Sequence, residues 1–359
     1  MTTQRLRVLV VEDSLTIRKR LVEVLSADPG IEVVGEAADG LRGVELCRAL
    51  RPDVVTLDML LPHMTGVEAT EQIMANFPTP ILIVSASTNR GDLFKTYDAL
   101  AAGAVDVLDK PTGDEIDDDW ERRFVAAVKL VARIKVITHP RARLPGYSRA
   151  PGLAEPEVAP RPAGSGGRVV ALGASTGGPG ALVQVIGALP RPLPCPVLFV
   201  LHINEPFGAA FAEWLERQTG HRVVQARDGD RVAALAGRVT MAPAGVHTVV
   251  RRGVLRLTAE AERHSCRPSI DSLFESLAAE HGASVVACLL TGMGRDGAAG
   301  LLEVRRAGGS TFAQDEATSV VYGMPREAAI LGAAGRVLPL GEIGPAVAGL
   351  LRASHGRAP

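Results

Sequence analysis

The sequence predicts an α/β chain built from two doubly wound, parallel-sheet domains, and three observations predict it. Short β-branched runs alternate with amphipathic segments over residues 1–137, and the same rhythm returns from residue 168 onward. The runs show little apolar–polar alternation, the pattern of strands covered by helices on both faces. Between the two stretches, "HPRARLPGYSRAPGLAEPEVAPRPAGSGG" is rich in Pro, Gly, Ala and Arg and poor in large apolar side chains. It buries too little surface to offset its chain entropy and reads as a flexible linker. The expected division is a first domain over 1–137, a linker over 138–167 and a second domain over 168–359.

In the first domain "RVLVVED", "EVVGEA", "DVVTLDM", "ILIVSAS" and "AVDVLDK" read as five strands, each followed by a helical pattern. In "TIRKRLVEVLSA", Ile17, Leu21, Val24 and Leu25 recur at helical spacing. Such regular β-α repetition implies right-handed crossovers and a doubly wound sheet. The acidic run "GDEIDDDWERR" reads as the solvated start of the last helix. In the second domain the strands are "RVVALGAS", "PVLFVLHI", "HRVVQA", "SVVACLLTG" and "GSTFAQDE". The helices are "PGALVQVIGAL", "FGAAFAEWLERQ", "SIDSLFESLAAEHG" and "DGAAGLLEVRRAG". The segment "GRVTMAPAGVHTVVRRGVLRLT" breaks the rhythm and reads as a small antiparallel excursion with "RRG" as its hairpin turn.

Composition narrows the function classes. A chain of 359 residues suits two domains, and 47% hydrophobic with 22% charged residues is the balance of a soluble globular protein. With 39 basic against 40 acidic residues the net charge is −1, which gives no electrostatic ground for nucleic acid or a membrane surface as partner. Cys47, Cys195, Cys266 and Cys288 lie far apart and read as reduced, mostly buried thiols. No apolar run approaches the roughly 20 residues that span a bilayer. The opening "MTTQRLRVLVVED" reads as a strand entering a domain, not a signal peptide. A cytoplasmic monomer without membrane insertion is expected.

Open parallel sheets carry function at the carboxyl ends of their strands. Glu12 and Asp13 follow the first strand, Asp58 ends the third, Ser85 the fourth, and Lys110 with Pro111 the fifth. Acids crowded at one sheet edge repel each other, and a hard cation such as Mg²⁺ relieves that cost. One carboxylate can then accept a phosphoryl group whose oxygens Lys110 and Ser85 hold. These stretches, "VVEDS", "DVVTLDMLLPHMTG", "IVSAS" and "DKP", resemble the response-regulator receiver domain over residues 5 to about 130. The resemblance implies phosphorylation of Asp58 by a histidine kinase. It also implies Mg²⁺ held by Asp13, Asp58 and the Leu60 carbonyl with Glu12 behind them, and a cis bond before Pro111. Receivers often carry an aromatic three residues before the lysine, where this chain has Val107.

In "ALGASTGGPGAL" a buried-looking strand runs into Ser175 and then into glycines. No lysine follows between Arg168 and Arg191, so a Walker loop is excluded, and "GASTGG" does not supply a dinucleotide fingerprint. Gly173 to Gly177 satisfies G-x-S-x-G, which makes Ser175 a candidate nucleophile. Its base must lie nearby. His202 ends the run "PVLFVLHI" and is the first choice; His247 in "APAGVH" is the second. For the orienting acid, "LLTGMGRDGAAG" repeats the strand-to-glycine-turn logic, with Asp296 at the start of a helix. The chain order Ser, His, Asp is not that of α/β-hydrolases.

"ALGASTGGPGAL", "APAGVH", "CRPSIDSLFESLA", "LLTGMGRDGA" and "AQDEATSVVYGMPREA" resemble the CheB-type protein-glutamate methylesterase domain over residues 168 to about 352. The resemblance implies a flavodoxin-like receiver followed by a Rossmann-like catalytic domain. Carried to matching positions, Ser175 is the nucleophile, His202 the general base and then acid, and Asp296 the orienting carboxylate. The N–H groups of Thr176 and Met293 are the expected oxyanion donors. The implied substrates are methyl-accepting chemoreceptors, whose glutamate methyl esters are hydrolysed and whose glutamines are deamidated. The implied phosphodonor is the histidine kinase CheA, and the esterase needs no cofactor. An unphosphorylated receiver would cover the esterase cleft. The family usually reads "QHMP" around the histidine where this chain reads Leu201-His202-Ile203-Asn204-Glu205-Pro206, so the groove meeting the receptor is expected to differ. Two alternatives stand beside this reading: a non-enzymatic adaptor that binds receptor or kinase, and a hydrolase of a non-receptor ester.

Overall fold

The computed structural model describes residues 5–86, 90–110, 118–134, 136, 167–203 and 207–355. Each stretch of alternating strands and helices forms its own parallel sheet. The first holds β1 (Leu6–Val11), β2 (Ile31–Ala37), β3 (Val54–Leu57), β4 (Ile81–Ser85) and β5 (Asp106–Asp109) in the order β2-β1-β3-β4-β5. That is the flavodoxin-like order, with its switch point between β1 and β3. The crossovers are α1 (Leu15–Ser26), α2 (Gly40–Leu50), α3 (Gly66–Asn76) and α4 (Arg90–Ala102), and α5 (Asp118–Val131) closes the unit. On α1 the anticipated stripe is real: Leu21, Val24 and Leu25 are buried, and Ser14 caps the helix by accepting from the Ile17 N–H. Trp120 and Phe124 of α5 stack on each other and pack against the sheet. The acidic residues Asp118, Asp119 and Glu121 occupy its first turn, where the helix dipole favours them.

The second sheet has seven strands in the order β14-β13-β12-β6-β7-β9-β8, every pairing parallel. They are β6 (Val169–Ala174), β7 (Val197–Leu201), β8 (Val223–Gln225), β9 (Val239–Met241), β12 (Val285–Leu289), β13 (Ser310–Gln314) and β14 (Arg336–Leu338). β6, β7 and β12 are buried along their whole length, which explains their unbroken apolar runs. The helices are α6 (Gly178–Gly187), α7 (Phe207–Thr219), α8 (Ile270–His281), α9 (Ala298–Arg306), α10 (Met324–Ile330) and α11 (Leu340–His355). The chain leaves β6 to one side through β7 and returns to the other side at β12. β6 is therefore the switch point of a Rossmann-like sheet.

Two expectations need correction. The irregular segment after residue 236 is not wholly antiparallel. Its first part, β9, joins the main sheet, and only β10 (His247–Arg251) and β11 (Val254–Thr258) form the hairpin around Arg252 and Gly253. The expected strands also omit β14, which at three residues, two of them exposed, carries too little pattern to register. The expected linker and the peptide bond before Pro111 lie outside the described residues, apart from Gly167. No helix among the described residues is long and apolar enough to cross a membrane.

The two units meet along α4, which packs on α6 and α7. Tyr97 of α4 meets the Phe211 ring edge-on at 5.3 Å and lies 5.5 Å from Trp214. The Trp214 indole N–H donates to Asp98 Oδ1 at 2.8 Å, and the Gln218 amide donates to the same oxygen at 3.2 Å. The Arg217 guanidinium sits 5.2 Å above the Phe94 ring. One continuous apolar cluster crosses the seam, from Tyr97, Leu100 and Ala101 to Leu182, Phe211 and Trp214.

Candidate active site

The geometry at the end of β6 follows from its central place in the sheet. Ala174 pairs with Leu201 of β7, so the next residues on each strand, Ser175 and His202, emerge side by side. The His202 N–H donates to the Ala174 carbonyl at 3.0 Å, and the Ser175 N–H donates to Thr291 beyond β12 at 3.0 Å. The turn after Ser175 needs its glycines. Gly177 has φ of +77°, and a Cβ there would stand 2.6 Å from Val320. A Cβ on Gly292, in the facing turn, would come within 2.7 Å of the Ser175 Cβ.

Asp296 reaches His202 from an unexpected direction. It precedes α9 but does not cap it, since that cap is Gly297 without a side-chain bond. Its carboxylate instead lies at the N-terminus of α8. Oδ1 accepts from the Ser269 hydroxyl at 2.7 Å and the Asp271 N–H at 3.2 Å, and Oδ2 accepts from the Ile270 N–H at 2.7 Å. His202 Nε2 is 2.9 Å from that same Oδ2. Burial opposes the charge on Asp296, but these donors overcome it and hold the carboxyl below its ordinary range. For His202, burial works against the proton, yet the bonds to Asp296 and Cys266 outweigh it and push the imidazole up to about 9.

With Nε2 committed to Asp296, Nδ1 is the nitrogen left to take a proton. Cys266 Sγ stands 3.6 Å from it. Among the described residues no hydrogen bond joins Ser175 Oγ to His202; both line a cavity of about 310 Å³, with Thr176, Glu262 and Cys266. Leu100, Val105, Asp106 and Val107 of the first unit roof that cavity. Met293 is exposed and lines a neighbouring cleft, together with Cys266 and Asp296. The structure thus gathers Ser175, His202, Asp296 and Thr176 at one point, with Met293 at its margin. His247 stands apart: it is buried, accepts from the Ser269 N–H on Nδ1 at 3.1 Å and bonds the Ala261 carbonyl through Nε2 at 3.1 Å. Both of its nitrogens are occupied, which leaves no lone pair to serve as a base. Asn204, Glu205 and Pro206, the altered flank of His202, lie outside the described residues.

Sequence reasoning missed Cys266 and Ser269. Cys47, Cys195 and Cys288 are buried as expected, but Cys266 is only partly so. Nothing in "RHSCRPSID" marks its thiol as facing a histidine 64 residues earlier, because the turn depends on left-handed backbone at His264 and Ser265, φ of 53° and 59°. Ser269 is legible as a helix cap; its second bond, to Asp296, is tertiary.

At the first sheet's edge Glu12, Asp13 and Asp58 bring carboxylate oxygens within 4.8 Å of one another. Lys110 Nζ lies 3.0 Å from Glu12 Oε1 and 2.9 Å from Asp58 Oδ2. Burial pushes Glu12 up to about 7 and raises Asp58 as well. Burial also works against the Lys110 charge, but its two acids outweigh that and raise its pKa. Ser85 is buried at the end of β4, and Leu60 lies exposed two residues past Asp58. Hard carboxylate oxygens gathered at one sheet edge fit Mg²⁺.

Comparison with known proteins agrees with both sheets. Residues 170–347 match the family model described as CheB methylesterase, and residues 8–117 match the response regulator receiver domain. A protein-glutamate methylesterase/protein-glutamine glutaminase of Anaeromyxobacter dehalogenans is 43% identical over 97% of this chain and 97% of its own length. One of Nitrosospira multiformis is 42% identical over 96% of this chain and 97% of its own. The crystal structure of the Thermotoga maritima CheB methylesterase catalytic domain shares 33% identity and a TM-score of 0.49, covering 52% of this chain and 99% of that one. With a receiver sheet, a serine and histidine on adjacent strand ends and near-full-length relatives of one kind, the chain belongs to the CheB methylesterase family.

Proposed function

We propose that the protein is a phosphorylation-activated protein-glutamate methylesterase that acts on chemoreceptors, and deamidates their glutamines by the same acyl chemistry. The observation that carries this reading is His202, bonded to Asp296, sharing one cavity with Ser175. Ser175 Oγ attacks the ester carbonyl while His202 Nδ1 takes its proton. The imidazolium so formed is stabilised by Asp296 and returns the proton to the departing methanol. The N–H groups of Thr176 and Met293 receive the oxyanion, a contribution of roughly 3 kcal/mol for each effective donor. Water then enters, gives its proton to His202 and frees the glutamate.

Asp58 is the phosphoryl acceptor, with a histidine kinase of the CheA type as donor. Asp13, Asp58 and the Leu60 carbonyl would hold Mg²⁺ with Glu12 behind them, and when bound it supplies positive charge against the phosphoryl oxygens. Lys110 and Ser85 orient those oxygens. The domain limits follow the same division, with residues 138–167 linking the receiver to the catalytic part, and the protein works in the cytoplasm. Regulation is steric. A receptor helix is about 10–12 Å across, whereas Leu100, Val105 and Val107 of the receiver line the same cavity of about 310 Å³ as Ser175 and so occupy the approach such a helix would need. Methanol release from methylated receptor should therefore rise when a small phosphodonor and Mg²⁺ are added. Equal rates with and without them would defeat the regulatory part of the reading, and receptor binding without methanol would favour a non-enzymatic adaptor.

Asp98→Ala should mimic activation in part. It removes the acceptor that Trp214 and Gln218 share across the seam. Hydrogen bonds to a charged group are worth about 1.5–3 kcal/mol, so the unphosphorylated rate should rise on the order of tenfold. An unchanged basal rate would show that the seam does not restrain the enzyme.

The pH profile tests the base. A histidine whose folded pKa lies near 9 keeps its proton at neutral pH, so the form able to deprotonate Ser175 appears only as pH rises. The unphosphorylated rate should climb between about pH 7 and 9 and then level off. Cys266→Ala removes one of the groups that raise this pKa, and should move the rise to lower pH. A profile centred near 6.5 in the wild type would show that Asp296 and Cys266 do not hold the imidazole's proton as the geometry implies.

A further inference from the structure

The Cys266 thiol makes or breaks no bond in ester hydrolysis, yet it stands against the nitrogen of the base that Asp296 leaves open. Its separation from His202 Nδ1, 3.6 Å, can be compared with zinc chemistry. Zn–S and Zn–N bonds of about 2.3 and 2.0–2.1 Å at a tetrahedral angle place sulfur and nitrogen about 3.6 Å apart. The imidazole is already oriented as a metal ligand is, with its other nitrogen on a carboxylate, Asp296. The ligand atoms of Cys266, His202 and Asp296 all fall within 4.8 Å of one another. The thiol is also reachable. Cys266 is the one cysteine of the four that is not buried, and it lines both the roofed cavity and the more open cleft beside Met293 and Glu327. An ion can therefore arrive from the cleft while the receiver still covers the cavity.

We propose that Cys266 and His202 form an inhibitory site for a thiophilic divalent cation, of which Zn²⁺ is the probe. Binding forms one bond from the Cys266 thiolate and one from His202 Nδ1, and the protons they carried pass to solvent. Asp296 stays on Nε2 as the orienting partner. The remaining coordination positions open onto the cavity that Ser175 and Glu262 line. With Nδ1 bound to metal no lone pair is left for the Ser175 proton, so the esterase is silenced whatever the receiver's state. Zinc inhibition goes beyond the hydrolytic reading, though its effect on catalysis rests on that reading.

The test separates the two. Full-length, reduced protein is titrated with Co²⁺, whose bond to a thiolate gives a near-ultraviolet charge-transfer band. The carboxylates at Glu12, Asp13 and Asp58 cannot produce this band, having no sulfur. One equivalent should generate the band, Zn²⁺ should bleach it, and it should be absent from Cys266→Ser, Cys266→Ala and His202→Gln. In parallel, the Zn²⁺ concentration that halves methanol release, each protein measured against its own metal-free rate, should be at least tenfold higher for Cys266→Ser than for wild type. No band in the wild type, a band that survives in both Cys266 variants, or equal half-inhibiting concentrations would overturn the site. Because the spectrum needs no turnover, its failure leaves the esterase reading standing. Absent methanol release from metal-free wild type sinks only the latter.

Discussion

Replacing Ser175 by alanine is expected to lower methanol release by about 10⁶-fold, the scale of losing the nucleophile of a Ser-His-Asp unit. The structure makes this substitution a clean one. Ser175 is held through its backbone, by Thr291 and Gly178, while its Oγ bonds no described residue. Removing the oxygen therefore disturbs neither the turn nor the sheet, and receptor affinity should stay within about twofold. The measurement is methanol release and receptor binding on the same preparation. A variant that keeps more than a few per cent of wild-type turnover would mean that another group attacks the ester. Cys266, which lines the same cavity, would then be the suspect.

The second large effect is expected at Asp296→Asn, a loss of about 10⁴-fold in kcat. Each carboxylate oxygen already faces two donors: Ser269 and Asp271 on one, Ile270 and His202 on the other. An amide has one oxygen and one NH₂ to offer these four donors. If the NH₂ faces Ser269 and the Asp271 N–H, buried donors are left unpaired, at about 1–3 kcal/mol of stability. If it faces His202, the ring must present a lone pair at Nε2, and its proton moves to Nδ1. That tautomer cannot accept from Ser175. The second outcome has its own signature. The pKa of His202 should fall from near 9, because the carboxylate that held it up is gone. A variant with wild-type kcat and an unmoved pH profile would remove Asp296 from the mechanism.

Much of this site is legible in the sequence, for a topological reason. Parallel strands end at one edge, so an apolar run closing in a polar residue marks that edge, and Ser175, His202, Asp58 and Lys110 all announce themselves this way. Adjacency of Ser175 and His202 needs only that β6 and β7 be neighbours, which one short crossover makes the natural outcome. Asp296 is legible as a position but not in its environment. Its place beside a glycine turn suggests a cap of its own helix, whereas its partners belong to α8, some 26 residues earlier. Cys266 is hidden for the same reason: no local pattern carries a contact made by a loop folding back on a strand end. The roof of the cavity is likewise invisible in either half alone, because it exists only where the two packed units meet.

The hydrogen bond from Trp214 to Asp98 has an optical consequence. The chain holds two tryptophans; Trp120 is bound within the receiver to the Asp109 carbonyl, and Trp214 is 2% exposed at the seam. Parting of the halves would take the Trp214 indole out of an aromatic cage and away from its carboxylate into water, while Trp120 stays where it is. The emission colour of the unlabelled protein then reports how far the gate stands open. Where phosphorylation parts the halves as proposed, each turn of the cycle would be a spectral shift, visible without receptor, kinase or dye.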